Sequence, residues 1–169
     1  AKDPDYSVMI GNSAGRGSNS GQYSAFLGYF AGQYSDRTFN STFIGNSAGS
    51  GSKLASNFYA IGSNVAVDSI EVKQSVALGD QAMSGIARSS GIVALGYKSL
   101  SGTSGIVRTV SAGFRATRGV NTGNDIVSIG TDNLEDASGI DNVISIGKEA
   151  LIRSSGGLEE VTANGFQAG

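Results

Sequence analysis

An apolar residue followed by glycine recurs every 17 residues along most of this chain, and no other feature restricts its fold as severely. Aligned on that glycine, the segments read Ser7-Val-Met-Ile-Gly11, Ser24-Ala-Phe-Leu-Gly28, Ser41-Thr-Phe-Ile-Gly45, Phe58-Tyr-Ala-Ile-Gly62 and Ser75-Val-Ala-Leu-Gly79. They continue as Ile92-Val-Ala-Leu-Gly96, Thr109-Val-Ser-Ala-Gly113, Ile126-Val-Ser-Ile-Gly130 and Val143-Ile-Ser-Ile-Gly147, then Val161-Thr-Ala-Asn-Gly165 after 18. A 17-residue unit is too short for paired helices or a leucine-rich repeat, but it holds one coil of short strands and turns. The expected fold is therefore all-β: a parallel β-solenoid of ten coils, with residues 1–169 as a single repeat domain. The one extra residue is expected at Gly156-Gly157, because loops absorb insertions at low cost.

Each glycine is expected to be a turn residue, since only glycine takes positive φ without a steric penalty. Three residues later stands a small side chain, as at Ala14, Ala31, Ala48, Ala82, Ser99, Ala116, Ala150 and Ala168, with Val65 and Asn133 as exceptions. A second glycine often follows six residues after the first, at Gly17, Gly51, Gly85, Gly102 and Gly119. Twenty-six glycines against one proline fit a chain that turns at fixed intervals without collagen or polyproline character.

Strand alternation sets the expected faces. The positions one and three before the glycine, such as Val8/Ile10, Val76/Leu78 and Ile144/Ile146, are mostly β-branched or leucine, and are expected to fill the coil interior. The residue between them would then face outward. It changes in blocks: Met9, Phe26, Phe43, then Ala60, Ala77, Ala94, then Ser111, Ser128, Ser145, and finally Ala163. Because no long polar residue occurs there, this column is the expected contact of the chain with copies of itself around a symmetry axis. The simpler alternative is a face covered by loops of the same chain. Ten coils stacked at about 4.8 Å would make a rod roughly 50 Å long. Neither terminus resembles a polar cap, so the chain is expected to be a fragment of a longer protein.

Chemistry is poorly represented. The absence of cysteine and histidine excludes thiol nucleophiles, disulfides, Cys/His zinc sites and a histidine general base. Gly15-Arg-Gly17 lacks the third glycine of a dinucleotide loop, and Gly49-Ser-Gly-Ser-Lys53 lacks the spacing of a phosphate-binding loop. The neighbours Glu135-Asp136 and Glu159-Glu160 would face opposite sides of a strand, and Asp132 with Asp136 lacks any calcium-loop pattern. No enzyme activity, metal or cofactor is expected. A net charge of −2 and the absence of a 20-residue apolar run give no expectation of nucleic acid or of membrane insertion in this segment.

Two distributions bear on binding. Between Gln81 and Asn124 stand five basic residues (Arg88, Lys98, Arg108, Arg115, Arg118) and no acid, whereas 125–160 holds eight acids against Lys148 and Arg153. Repeated around an assembly, that basic band would form a girdle able to attract anionic glycan or lipopolysaccharide phosphate; a solvated surface of chance composition is the alternative. Ten of the thirteen aromatics fall within residues 1–59, where they could pack in a core or interface or stack on sugars.

Several coils resemble known families. Gln74-Ser-Val-Ala-Leu-Gly-Asp-Gln-Ala82 resembles the head repeats of trimeric autotransporter adhesins. Asn40-Ser-Thr-Phe-Ile-Gly-Asn-Ser-Ala-Gly49 and Ala94-Leu-Gly-Tyr-Lys-Ser-Leu100 are more similar to repeats of bacteriophage tail-fibre and appendage proteins. The resemblance implies a left-handed β-roll, a homotrimer and attachment to a cell surface. The longer period and the aromatic first coils depart from the adhesin heads. The expectation is a non-catalytic segment of a virion tail fibre or similar appendage, with an extracellular adhesin head as the alternative.

Overall fold

The structure, a computed structural model, describes residues 6–19, 21–152 and 155–165. Among them there is no helix. The strands are β1 (Val8–Ile10), β2 (Ala25–Leu27), β3 (Thr42–Ile44), β4 (Ser56–Ile61), β5 (Ile70–Leu78), β6 (Ala87–Leu95) and β7 (Ser104–Ala112). They continue as β8 (Thr117–Arg118), β9 (Asn121–Ile129), β10 (Leu134–Glu135), β11 (Ser138–Ile146), β12 (Leu151–Ile152), β13 (Ser155–Glu159) and β14 (Thr162–Asn164).

Every pairing is parallel and joins a residue to its equivalent one coil on, as in Val76↔Val93, Ala77↔Ala94 and Leu78↔Leu95. The apolar triplets thus stack as the rungs of one sheet running from β1 through β7, β9 and β11 to β14. Ten rungs enclose nine turns of a parallel β-solenoid, as the period predicts. The extra residue lies at the expected position but within β13 instead of a loop: Ser138 pairs with Ser155 but Ile140 pairs with Leu158, so the bulge falls at Gly156-Gly157. Ala168 of the small-residue column lies outside the described residues.

The chain bends at left-handed residues placed at fixed offsets. Nine residues after the rung glycine stand Leu54, Glu71 and Arg88, with φ of 58, 57 and 52°, and twelve after it stand Asn57, Gln74 and Arg108, with φ of 51, 49 and 51°. A left-handed non-glycine residue costs about 1–2 kcal/mol, so these corners persist because the ladder on both sides over-determines them. The rung glycines differ, with φ near 131° at Gly11 and Gly79. A Cβ built on Gly79 would lie 2.6 Å from the carbonyl oxygen of Gly96 directly above. Close stacking as well as backbone conformation therefore demands glycine.

The two faces of the rung are the reverse of the sequence expectation. Phe26, Phe43, Ala60, Ala77, Ala94, Ser111, Ser128 and Ser145 are 0% exposed within one chain, and Ala163 is buried. Met9, half-buried, packs against the same core. This column lines the coil interior and does not form an intermolecular axis. Alternation remains correct, but the inward set is the middle residue. The residue four before the glycine, such as Phe58, Ser75 or Ile92, points inward with it.

The block changes follow from volume sharing with the residue four after the glycine. Where the middle residue is large, that partner is Gly15, Gly32 or Gly49; a Cβ on Gly49 would meet the Phe43 ring at 2.2 Å. Where it is alanine, the partner is Met83 or Leu100, both fully buried. Ala60 faces a second small residue, Ala66, and here Phe58 replaces the usual serine and packs edge-on against Phe43, with ring centroids 5.8 Å apart. Phe26 and Phe43 stack at 5.4 Å. Summed volume per coil is thus held near the close packing that protein interiors require.

In the serine block the buried hydroxyls find partners within the coil. Ser99 Oγ donates to the Ser111 carbonyl at 2.9 Å and bonds its hydroxyl at 2.8 Å, and Ser128 Oγ donates to the Ala116 carbonyl at 2.7 Å. Ser145 Oγ donates to Asn133 Oδ1 at 2.8 Å, while Asn133 Nδ2 donates to the Ser145 carbonyl at 2.6 Å. Satisfied in this way, the polar column avoids the burial penalty of unpaired groups.

Volume sharing gives a test by double-mutant cycle. Ala94→Phe is expected to destabilise the chain by about 1–3 kcal/mol through overpacking against Leu100. Adding Leu100→Gly opens the space and suits the φ of 58° found there, so a favourable coupling of about 1–3 kcal/mol is expected in denaturant titration. Strictly additive effects would contradict the shared volume.

Candidate functional site

Inversion of the faces places the aliphatic residues of each rung on the outside. Val8, Ile10, Leu27, Ile61, Leu78, Leu95, Val110, Ile129, Ile144 and Ile146 are all exposed, Leu78 and Leu95 at 37% and Ile146 at 41%. Successive rungs hydrogen-bond in register, so these side chains form two parallel ranks along one face. Their exposed area is on the order of 700 Å², above the 300–600 Å² of the largest patch on a typical monomer and near the ~800 Å² per partner of a stable interface. The signal for this face was in the sequence. Reciprocal size between the middle residue and the one four after the glycine means that both share one enclosed volume, which leaves the flanking aliphatics outside.

The aromatic first coils divide between interior and surface. Phe26, Phe43 and Phe58 are in the core, whereas Tyr6, Tyr23 and Phe39 are exposed and in mutual contact. Tyr6 stacks on Tyr23 at 5.6 Å and 5°, and Phe39 meets Tyr23 edge-on at 5.7 Å. The three rings therefore form an exposed ridge on the first coils.

The basic band is largely neutralised by acids one coil on. Arg108 Nε and Nη2 donate to the two carboxylate oxygens of Asp125 at 2.6 and 2.7 Å. Arg115 Nη2 donates to Asp132 Oδ2 at 2.8 Å, and Arg118 pairs with Glu135. Lys98 lies over the Tyr97 ring, its Nζ 5.3 Å from the centroid, and Tyr97 stacks on Phe114. Arg88 stands 4.0 Å from Glu71 with no hydrogen bond formed. The five residues are therefore brought onto one rod but not into a free cationic girdle: three are committed to ion pairs that sequence order alone places far apart.

Hydrogen bonding to the Arg108 guanidinium holds the Asp125 carboxyl below its ordinary value, and the same pair raises Arg108. Because the folded-state pKa is depressed, the contribution of the pair is present above the ordinary carboxylate range and is lost as pH falls through the folded value. Both side chains are well exposed, so the effect on stability is small. In an NMR titration of the side-chain carboxyls, Asp125 is expected to titrate below the ordinary aspartate range and to return to it in Arg108→Gln. An unchanged Asp125 in that variant would contradict the pairing.

Among the described residues, no group of three or more acids is placed to hold a metal, and no helix is long and apolar enough to cross a membrane. No family model matches the chain, and neither a curated protein nor a solved structure matches it.

Proposed function

We propose that this chain is a non-catalytic structural segment of a homotrimeric fibre of the phage tail-fibre type, serving attachment to a cell surface. The exposed aliphatic ladder carries the reading. It is periodic and in register, and its exposed aliphatic members run from Val8 to Ile146. A surface with these properties is matched in length, spacing and chemistry by another copy of itself laid parallel and in register. Charged residues are missing from both ranks of the ladder, consistent with a face removed from water by association. Three such faces meeting along an axis would bury the ladder of every chain, while the corners and the ion-paired flanks would remain in solvent.

The resemblance to fibre and adhesin repeats sets the biological context, and the interior offers nothing for catalysis. Among the described residues its polar groups are serine, threonine, asparagine and Gln33, and the serine and asparagine side chains are used in hydrogen bonds within the coil. Electron microscopy with an antibody raised against the chain tests the functional reading. Label along filaments on a virion or cell surface is expected, and label confined to the cell interior would overturn it.

A further inference from the structure

With Arg108, Arg115 and Arg118 each hydrogen-bonded or closely paired to an acid, Lys73 and the loosely paired Arg88 lie elsewhere, on the strip between the corners nine and twelve residues after the rung glycine. Here an open cavity of about 200 Å³ is lined by Glu71, Lys73, Arg88, Ser89 and Ser90. We infer that this cavity is a subsite for a single sugar acid, a hydroxylated carboxylate of the uronic type carried on a surface glycan.

The parallel register builds the site. Glu71 and Arg88 are successive members of one corner column, and Lys73 and Ser90 are successive members of the column two residues on, paired Lys73↔Ser90 between β5 and β6. The inward residues Val72 and Ser89 between them are buried, and Ser89 lines the cavity. Ser89 Oγ is used internally, donating to the Ala87 carbonyl at 3.0 Å. The walls thus present two cations, one carboxylate and the Ser90 hydroxyl.

Neither cation makes a side-chain hydrogen bond among the described residues. Lys73 has no ion partner among the described residues. Arg88 is 83% exposed and 4.0 Å from Glu71, in contrast to the 2.6 and 2.7 Å of the Arg108–Asp125 fork. The next member of its column is Gly105, which carries no side chain.

This mixture selects among anions. Lys73 and Arg88 together suit a carboxylate, with the guanidinium able to offer two parallel donors. Glu71 accepts hydrogen bonds from hydroxyls and opposes a dianion, which favours a monoanionic sugar acid over a phosphomonoester. The volume lies below the 300–1,000 Å³ of drug-sized sites and suits one ring. A subsite this open binds weakly alone, and three copies around a fibre would supply avidity. The choice of a glycan as carrier rests on the attachment reading above; the choice of charge and hydroxyls does not.

Titration of the purified chain with sodium glucuronate, followed by amide NMR, tests the inference. Saturable shifts centred on residues 71–73 and 88–90 are expected, with glucose and inorganic phosphate at least about tenfold weaker. Lys73→Gln and Arg88→Gln should each weaken glucuronate about tenfold or more, the loss of one charge-assisted contact, and Arg108→Gln should leave it unchanged. Absence of saturable shifts, equal binding of phosphate, or equal weakening by Arg108→Gln would overturn the subsite. The solution mass of the same sample is read independently, so a trimer that ignores glucuronate sinks the subsite alone, and a monomer that binds it sinks the assembly alone.

Discussion

Gly79→Ala is expected to destabilise the solenoid by about 4 kcal/mol or more, the upper end for a single substitution. Two penalties coincide. The φ of 131° lies beyond the left-handed region that L residues visit, and the new Cβ would be 2.6 Å from Gly96 O and 2.8 Å from Gly96 C. Relief would require separating two rungs. Their spacing is held on either side by Gly96 N donating to the Leu78 carbonyl at 2.8 Å and by Lys98 N donating to the Asp80 carbonyl at 3.0 Å.

Gly85→Ala is the control. Gly85 has φ 66° and open space where a Cβ would go, and its column accepts Tyr34, Asp68 and Asp136 at φ 54, 52 and 52°. Its cost is expected near 1 kcal/mol. Guanidinium denaturation of the two variants measures the difference, and equal losses would remove the stacking explanation.

Charges placed on the two sides of one rung are expected to fail in different ways. Ala77 is fully buried, so Ala77→Glu forces a carboxylate into the coil interior, where an uncompensated charge costs several kcal/mol. Loss of the β signal by circular dichroism is expected. Leu78→Glu with Leu95→Glu leaves the interior intact and places two charges on the exposed ladder. The expected outcome is a folded chain of native β content that no longer associates. Unfolding by the ladder pair, or native folding with Ala77→Glu, would mean that the faces are assigned wrongly.

The period, the parallel stacking, the rung glycines and the site of the extra residue were all legible from spacing, because each depends on a residue type that tolerates no substitute at its place. The orientation of the rung was not legible from hydrophobicity. Leucine, isoleucine and valine outrank alanine and serine in burial statistics, so hydrophobicity alone places Val76 and Leu78 in the interior and Ala77 on the surface. In a coil this narrow the enclosed volume is shared, so alanine stands with Met83 or Leu100 and phenylalanine with glycine, and the two aliphatics flanking the middle residue of each rung are left outside.

Charge was misleading for a related reason. Arg108 and Asp125 are 17 residues apart and fall in separate bands of the sequence, but one period brings them into contact. Lys73, outside the basic band, became a candidate only when the register set it beside Ser90 and next to the column of Arg88.

The mass of the purified chain in solution, by sedimentation equilibrium or native mass spectrometry, tests the central claim that the aliphatic ladder joins copies of this chain. A species of three times the 17.1 kDa chain mass is expected, falling to 17.1 kDa when Leu78 and Leu95 are replaced by glutamate. A wild-type chain that remains at 17.1 kDa with its ladder bare would contradict it.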